Sequence, residues 1–472
     1  MIEGLQPYAE YKPSGQEWLG AIPRHWELRR TKFILCEVDS RTSTGKDQLL
    51  RVSQYTGVTE RRSADGTDVP DTRAASLVGY KRVKPNDLVI NIMLAWNGSL
   101  GVSRYNGIAS PAYCVYRFRP SAFPWYFHHL LRLPLYKGRI KAASTGVVES
   151  RLRLYSDDLG RIEALLPPLD EQAAIVRFLD QSNGKIERFI RAKRKLIGLL
   201  NEQKQTIIHR AVTRGLKPDA PLKPSGIPWL GDIPKHWGIR QVRRVASFVT
   251  SGSRSWADYY SDSGLVFIQS GNLGRNMVLN LDYIQHVRPP AGAEGERTRV
   301  QRDDVLICIT GALTGNVVHV DTDLPGPSFV NQHVALLRVR QSAVEPRFLA
   351  FSLRSEVGQG QFKTSEYGGT KQGLGLGDVK DVYFPLPPPN EREAIVSHLD
   401  STLALFNAAI TRTEREMALM HEFCTRLTAD VVTGKLDVRA AAAKLPEISP
   451  EDISAVETPV DDEESDAGEI DG

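Results

Sequence analysis

The sequence has 472 residues, of which 25% are charged and 41% are hydrophobic, as expected for a soluble globular protein of two to four domains. No apolar run approaches the ~18 residues of a membrane-spanning helix and the first residues are not a signal peptide, so we expect a cytoplasmic protein without membrane contacts. The isolated cysteines argue against a disulfide framework and against a zinc site: Cys36, Cys114, Cys308 and Cys424.

The net charge of +4 hides an uneven distribution of charge along the chain. Residues 445–472 contain 11 acidic residues and no Lys or Arg, which leaves 60 basic and 45 acidic residues, or +15, in residues 1–444. That excess predicts a body that binds a polyanion such as DNA. The acidic tail has little to bury and is predicted to be disordered, with a solubility role favoured over competition with DNA.

Two similar arms introduce two globular segments. Lys12–Trp26 and Lys223–Trp237 are identical at 11 of 15 positions, at an offset of 211 residues. Their Pro, Gly and Trp content predicts an irregular arm rather than a helix. We expect the tryptophans to anchor each arm to its own domain rather than to bind a ligand: Trp18, Trp26, Trp229 and Trp237.

The segments that follow, 29–165 and 240–385, mix short β-rich runs with turns. Within them Val83–Ile92 aligns with Val300–Ile309, and each predicts a turn containing Asp that leads into a buried strand. A second matched strand ends in two arginines in each copy: Arg117 and Arg119, and Arg338 and Arg340.

Each globular segment is followed by a copy of one long helical sequence, because Leu166–Val212 returns without a gap at Leu386–Val432. Each copy predicts a short helix followed by a long one, with a break at Gln181–Gly184 in the first copy. In the second copy a heptad seam runs through Leu403, Ile410, Met417, Cys424 and Val431. The first copy shares its register, with polar interruptions at Asn183, Lys193 and Lys204. We therefore expect the two helices to bury their seams against each other as an antiparallel coiled coil.

In this order, occurring twice, the motifs resemble the DNA-specificity subunit of type I restriction-modification systems, from Lys12 to about Asp437. The resemblance rests on the WLGxIPxHW arms, the phrases NDLVINI and DDVLICITGALTG, the loop Asn331–His333, and the helix starts PPLDEQ and PPPNER. It implies two target recognition domains, each reading half of a split double-stranded DNA target through the major groove. It also implies helical regions that set the spacing and dock two methyltransferase subunits. S-adenosylmethionine would then bind to those partners, and ATP with Mg²⁺ to the restriction or motor subunits.

The expected fold class is α+β, with two mixed α/β target recognition domains alternating with two long helical regions in a pseudo-twofold arrangement. The expected division is an N-terminal arm at 1–22, target recognition domain 1 at 23–165, helical spacer 1 at 166–215, a linking arm at 216–233, target recognition domain 2 at 234–385, helical spacer 2 at 386–437 and the acidic tail at 438–472.

The chain lacks the motifs of the enzymes that this class of system contains. No (D/N)PP(Y/F) methyltransferase motif occurs, and the Gly-rich stretch Gly373–Gly377 does not fit GxGxxG. We therefore predict a non-catalytic subunit without a cofactor or metal of its own. The alternatives are a stand-alone restriction or modification enzyme, and a structural coiled-coil adaptor, which would not explain the charge of +15.

Candidate DNA contacts are polar, basic or aromatic residues in predicted loops, for which a solvated loop role is the alternative. In the first domain they are Arg61, Arg62, Arg73, Trp96, Asn97, Ser99, Ser144, Thr145, Arg151 and Arg153. In the second domain they are Ser251, Ser253, Arg254, Tyr259, Tyr260, Asn272, Arg275, Thr370, Lys371 and Gln372.

Overall fold

The computed structural model describes residues 5–61, 74, 76–148, 151–252, 254–274, 276–288, 296–365 and 373–446. These residues form two compact units. The first unit contains the described residues up to Ala192 and those from Met417 onwards, and the second is Lys193–Glu416. Apart from the start of the acidic tail, the finer division into seven segments stays a prediction.

The first unit carries a mixture of short strands and helices. In chain order they are β1 (Tyr11–Pro13), β2 (Ala21–Pro23), β3 (Glu27–Arg30), β4 (Leu35–Glu37), β5 (Leu50–Ser53), β6 (Gly57–Glu60), β7 (Lys81–Val83), β8 (Leu88–Asn91), β9 (Leu100–Val102), β10 (Gly107–Ala109), β11 (Tyr113–Phe118), α1 (Pro124–Leu131), α2 (Pro134–Ala143), α3 (Ser156–Arg161), β12 (Glu163–Leu166) and α4 (Leu169–Arg214), whose residues from Lys193 onwards belong to the second unit.

The second unit repeats much of this order. Its elements are β13 (Leu222–Pro224), β14 (Asp232–Pro234), β15 (Gly238–Gln241), α5 (Val242–Val245), β16 (Ala246–Ser251), β17 (Tyr260–Ser261), β18 (Leu265–Ile268), β19 (Gln285–Val287), β20 (Val305–Cys308), β21 (Val317–His319), β22 (Ser328–Val330), β23 (Val334–Val339), α6 (Pro346–Arg354), α7 (Glu356–Ser365), α8 (Leu376–Asp381), β24 (Tyr383–Leu386) and α9 (Pro389–Val432). The end of α9 and α10 (Arg439–Ala442) belong to the first unit. Helices and strands occur together in both units, so the predicted α+β class is confirmed.

Each unit contains the same four-stranded antiparallel sheet. Its order is β4-β11-β8-β9 in the first unit and β16-β23-β20-β21 in the second. The matched strands β8 and β20 are central, and all of their residues are buried, as their apolar sequences predicted. Before each strand the chain turns at a residue in the left-handed region, Asn86 (φ 69°) and Asp303 (φ 70°). The duplication read from the sequence is therefore also a duplication of the sheet.

A buried aspartate follows each of these turns and pairs with the matched arginine. Both carboxylate oxygens of Asp304 accept hydrogen bonds from Arg338, at 2.8 Å from Nε and 2.7 Å from Nη2. Asp87 accepts a longer bond of 3.3 Å from Arg117 Nε. Burial raises the pKa of the Asp304 carboxyl, and the hydrogen bond from Arg338 opposes that shift. The pair stabilises the turn before the central strand only while both charges are present.

We expect Arg338→Met to lower the free energy of unfolding by about 3 kcal/mol, because it leaves the Asp304 carboxylate buried without its partner. The loss should shrink as the pH falls, since a carboxyl whose pKa is raised in the folded state is less unfavourable when protonated. Urea unfolding at neutral and acidic pH measures both effects. The matched control is Arg340→Met, which removes an exposed arginine just beyond the same strand. Equal losses in the two variants would contradict a specific role for the pair.

The two arms are more regular than predicted. Each contains a two-stranded antiparallel hairpin, β1 with β2 and β13 with β14. The arms are not helical, as predicted, but they are hairpins rather than irregular segments, because Gly20 (φ 71°) and Gly231 (φ 63°) adopt left-handed conformations that allow the chain to reverse.

The arms are anchored by the tryptophans that end them, as predicted. Trp26 and Trp237 are buried in the cores of their units. The indole of Trp26 donates to Glu171 Oε1 at 3.1 Å, and that of Trp237 donates to Glu391 Oε2 at 2.9 Å. Both glutamates lie in the first turn of a long helix. Trp18 packs edge-on against the Tyr136 ring, whereas Trp229 remains 41% exposed.

The two long helices are each continuous. The prediction of a short helix followed by a long one, with a break at Gln181–Gly184, is wrong, because α4 is one helix of 46 residues and α9 one helix of 44. Asn183 and Gly184 do not end α4, because each destabilises a helix by only about 1 kcal/mol or less relative to Ala. In addition, Asn183 Oδ1 accepts a 3.1 Å hydrogen bond from Cys424 Sγ. No helix in the described ranges is both long and apolar enough to cross a membrane.

Ordered structure continues past the predicted start of the acidic tail. Val438 and Ala442 are buried in the core of the first unit, and α10 lies between 439 and 442. The predicted tail boundary at 438 is therefore too early. Residues 447–472, which contain the acidic residues, lie outside the described residues.

Candidate nucleic-acid interface

In the first unit, the predicted loop at residues 96–99 is a tight turn on the surface of the sheet. Asn97 Oδ1 accepts hydrogen bonds from the backbone N and from Oγ of Ser99, at 3.1 and 2.9 Å. Ser99 is buried, so its hydroxyl shapes the loop rather than facing outward. The indole N–H of Trp96 donates to Met93 O at 3.1 Å, and the Trp96 side chain is half-buried.

Helix α2 brings this loop together with the second group of candidates. The Lys141 ammonium lies 5.4 Å from the centre of the Trp96 ring. Three residues later α2 is capped by Ser144, whose hydroxyl donates to Ile140 O at 2.8 Å. Thr145 and Arg153 then pair through two backbone hydrogen bonds of 3.0 and 2.9 Å. Exposed side chains in this cluster are Thr145, Arg151 and Arg153.

The β5–β6 hairpin, which contains none of the predicted DNA contacts described so far, is linked to the same loop. The guanidinium of Arg132 donates to Leu100 O (2.7 Å), Tyr55 O (2.7 Å) and Gln54 O (3.0 Å). It therefore ties the tip of the β5–β6 hairpin to the strand that follows the 96–99 loop. The ring of Tyr55 is 69% exposed at that tip. A polar and aromatic turn between two short strands is the signal that could have identified it.

In the second unit, Ser251 ends β16 beside the loop Asn331–His333. The backbone N of Gly252 donates to Asn331 O at 3.1 Å. The His333 ring bonds to Thr310 Oγ1 through Nδ1 and lies 3.0 Å from Gln332 Nε2 through its other nitrogen. These contacts use the polar atoms of the loop to hold it against the central strand.

Tyr259 and Tyr260 lie together before and in β17, and both side chains are exposed. The Tyr260 ring packs 5.8 Å from the ring of Phe267, and its hydroxyl accepts a 3.2 Å hydrogen bond from Gln269 Nε2. Tyr259 is 38% exposed and Tyr260 is 47% exposed.

Asn272, like Ser99, is a buried candidate whose side chain bonds within its own loop. Its Oδ1 accepts from Gln269 N, and its Nδ2 donates to Asn280 O and Tyr283 O, each at 2.9 Å. The side chain is buried, and these bonds shape the loop from inside. Tyr283, whose carbonyl is held in this way, is 89% exposed and was not selected from the sequence.

A lysine of the helical seam reaches the same loop. Lys204 is buried, and its ammonium donates to Asn276 Oδ1 at 2.8 Å and to Asn407 Oδ1 at 2.5 Å. Burial lowers the pKa of Lys204, and the charge of Arg354 lowers it further. The polar interruption of the heptad seam therefore links helix α4 to a loop of the second domain.

We expect Lys204→Met to change the free energy of unfolding by less than about 1 kcal/mol, because the loss of two hydrogen bonds is offset by the removal of a buried charge. The loop around Asn276 should nevertheless lose its tie to α4. Hydrogen exchange of backbone amides at 276–284 should therefore become faster than in the parent chain. Unchanged exchange there would show that Lys204 does not hold the loop.

The remaining candidates are described only in part. Arg61 follows β6, where its backbone N donates to Leu49 O at 2.9 Å. The side chain of Arg254 is not described. Seven candidates lie outside the described residues: Arg62, Arg73, Ser253, Arg275, Thr370, Lys371 and Gln372.

Basic side chains also line a groove at the C-terminal end of α4 in the second unit. The cavity has a volume of about 680 Å³, and its basic lining residues are His209, Arg210, Arg214, Lys217 and His398. Among the described residues, no group of three or more His, Cys, Asp or Glu side chains is placed to hold a metal ion. The side chains of Arg210, Arg214 and Lys217 make this groove suited to an anionic group.

Comparison with known proteins agrees with these features. Residues 293–417 match the family model described as the type I restriction modification DNA specificity domain. The chain is 24% identical over 460 residues to the type I restriction enzyme MjaX specificity subunit of Methanocaldococcus jannaschii, covering 93% of this chain and 100% of that protein. It is 22% identical over 383 residues to the EcoBI specificity subunit of Escherichia coli, covering 79% and 78% of the two chains.

The fold is also that of a solved structure described as showing complex assembly and conformational transition of the type I R-M system. The two share a TM-score of 0.62 at 17% sequence identity, over 87% of this chain and 98% of the other. Residues 293–417 therefore match a type I restriction-modification DNA specificity domain, and the similarity of the chain to type I specificity subunits confirms the resemblance drawn from its repeated motifs.

Proposed function

We propose that this chain is the non-catalytic subunit that selects a bipartite double-stranded DNA target for a type I restriction-modification complex. Each target recognition domain reads one half of the target. The observation that carries the proposal is the duplication of one sheet, with its buried Asp–Arg pair and its following long helix, under two dissimilar sets of loops. A repeated scaffold with different loops suits two half-sites of different sequence.

Contacts within each unit support an antiparallel pairing of α4 and α9. In the first unit Asn183 meets Cys424. In the second unit Lys193 Nζ lies 2.8 Å from Glu416 Oε2, and Lys204 lies 2.5 Å from Asn407. As the residue number rises along α4, the number of its partner on α9 falls. We propose that this pair of helices sets the distance between the half-sites and docks the two methyltransferase subunits and the restriction subunits.

The positive charge of the chain supports two kinds of contact with DNA, one to phosphates and one to bases. Basic side chains on the domains and helices neutralise phosphates, which positions the protein without reading sequence. Loop side chains such as Trp96, Arg153 and Tyr260 then contact base edges in the groove. A DNA target that must contain both half-sites at a fixed distance occurs much less often in a genome than either half-site alone.

Chemistry is assigned to partner subunits. The chain has no (D/N)PP(Y/F) motif, and the described residues hold no metal-binding group. We therefore propose that S-adenosylmethionine is bound by the methyltransferase partners, and that ATP and Mg²⁺ are bound by partners as well. Methylation of DNA by the isolated chain with S-adenosylmethionine would instead favour a stand-alone modification enzyme.

Selection from a randomised duplex library tests the proposal directly. The full chain, assembled with its methyltransferase subunits, should enrich duplexes that carry two short motifs separated by a gap of constant length and free sequence. Enrichment of one uninterrupted motif would contradict two separate reading domains. Absence of any enrichment would favour a structural adaptor without DNA specificity.

A further inference from the structure

The two most exposed aromatic side chains in the described part of the chain are Tyr283, at 89%, and Tyr55, at 69%. One lies in each target recognition domain. A single exposed ring needs no explanation, because much of any protein surface is apolar. These two combine the highest exposure with a loop or hairpin-tip backbone whose carbonyl accepts a hydrogen bond from a polar side chain.

Tyr55 lies at a hairpin tip whose backbone is bonded by the Arg132 side chain. Its carbonyl accepts the 2.7 Å hydrogen bond from Arg132, which also binds the carbonyls of Gln54 and Leu100. Gly57 turns the chain with φ 71°, and an added Cβ there would lie 3.1 Å from the His128 ring. The tip is thus packed closely against the domain while the Tyr55 ring projects from it.

Tyr283 stands on a loop that is held from inside. Its carbonyl accepts the 2.9 Å hydrogen bond from Asn272 Nδ2. Asn316 Nδ2 donates to Leu273 O at 2.6 Å in the same loop. Met277 is buried there with φ 61°, a strained conformation that persists only where surrounding contacts enforce it. These contacts fix the backbone of the loop, while the ring of Tyr283 is directed into solvent.

Both tyrosines lie on segments that are linked to elements carrying candidate DNA contacts. Arg132 contacts the hairpin of Tyr55 and also Gly98 O, at 3.5 Å, in the 96–99 loop. Tyr283 lies two residues before β19, the strand that pairs with β17 and Tyr260. Tyrosine offers a large rigid contact area with little loss of conformational entropy and a hydroxyl that can bind phosphate or a base edge.

We propose that Tyr55 and Tyr283 are DNA contacts, one for each half-site, and that Arg132 and Asn272 are the positioning residues that present them. This inference rests on the proposed function. It also reassigns Asn272, whose amide is used within the loop, from direct contact to support.

The test measures binding of the full chain, assembled with its methyltransferase subunits, to three duplexes: the selected target, and targets with either half scrambled. Tyr55→Ala should weaken binding to the intact target by about tenfold. It should reduce discrimination against scrambling of one half and leave discrimination of the other half unchanged. Tyr283→Ala should show the reverse pattern. The matched controls are Phe33→Ala and Tyr383→Ala, exposed aromatics elsewhere in the same two domains, which should bind like the parent.

A double-mutant comparison tests the positioning role. Arg132→Lys keeps the positive charge but loses the planar fork that binds several carbonyls. It should reduce discrimination of the same half as Tyr55→Ala, and it should add no further loss when Tyr55 is already Ala. A merely structural effect of Arg132 would instead add to the loss from Tyr55→Ala.

The possible failures are distinguishable. If the parent complex does not discriminate intact from scrambled target, the proposed function itself is wrong. If the parent discriminates but the tyrosine variants match the controls, or weaken both halves equally, the assignment of Tyr55 and Tyr283 is overturned while the proposed function stands.

Discussion

A chimera in which residues 250–374 are replaced by the equivalent segment of a related chain should recognise a target with one new half and one unchanged half. We expect its affinity for the parent target to fall at least about 1,000-fold, towards that of non-specific binding. The reason is that this segment carries the candidate DNA contacts of the second domain, while the first unit keeps its own core and loops. Library selection with the assembled complex measures both halves at once.

The central strand β20 shows how such a graft can fold. Val305 and Ile307 point into a core that also contains Leu399 and Leu403 of helix α9. Leu306 and Cys308 point to the opposite face, into a core made by residues between 266 and 336. Neighbouring strand residues face opposite sides of the sheet. The side chains of the donor segment must therefore pack against the retained residues of this chain only on the side that faces α9. The core on the opposite side and the loops are transferred whole with the donor segment.

The reciprocal chimera is the control. Exchanging the corresponding loops of the first domain should change the other half of the target and leave the half read by residues 250–374 as it was. A change in both halves from either exchange would contradict independent recognition domains, and a change in neither would place specificity elsewhere in the chain.

Much of the scaffold could be predicted from the sequence because it is duplicated and periodic. The matched phrases located β8 and β20, and the common heptad register identified α4 and α9. The predicted break in α4 failed because local helix propensity is overridden when a side chain such as Asn183 finds a partner in the seam.

The candidate interface was less predictable because polarity does not show where a side chain points. Asn272 and Ser99 have the chemistry of base contacts, yet both are buried and shape their own loops. Conversely, the support of Tyr55 by Arg132 joins residues 77 positions apart, and no local period signals such a contact. Hydrogen bonds between a loop and a distant residue can therefore be recognised only once the fold is known.

Lengthening both long helices by one heptad should move the two half-sites apart. The insertions belong at matched levels, between Ala192 and Lys193 in α4 and between Glu416 and Met417 in α9, since Lys193 and Glu416 are in contact. Seven residues add about 10.5 Å of helix while keeping the seam in register. Because base pairs along each strand are spaced by about 3.4 Å, the preferred gap should lengthen by about three base pairs.

An insertion in α4 alone is the contrasting variant. It shifts every later seam residue of α4 along an unchanged partner, so contacts such as Lys204 with Asn407 can no longer form together with those before the insertion. We expect that variant to lose stability rather than to acquire a longer gap. Circular dichroism melting of both variants separates loss of folding from a change in spacing.

The paired insertion should not bind its new target as tightly as the parent binds its own. Three extra base pairs rotate one half-site by about 100° about the DNA axis, since a full turn takes about 10.5 base pairs. A heptad adds almost no rotation to the helix pair, so the DNA must untwist or the domains must adjust. Selection from a library should therefore return the original half-sites with a longer gap, and binding to the parent target should weaken by about 100-fold or more. Selection of the original gap would show that the paired helices do not set the spacing.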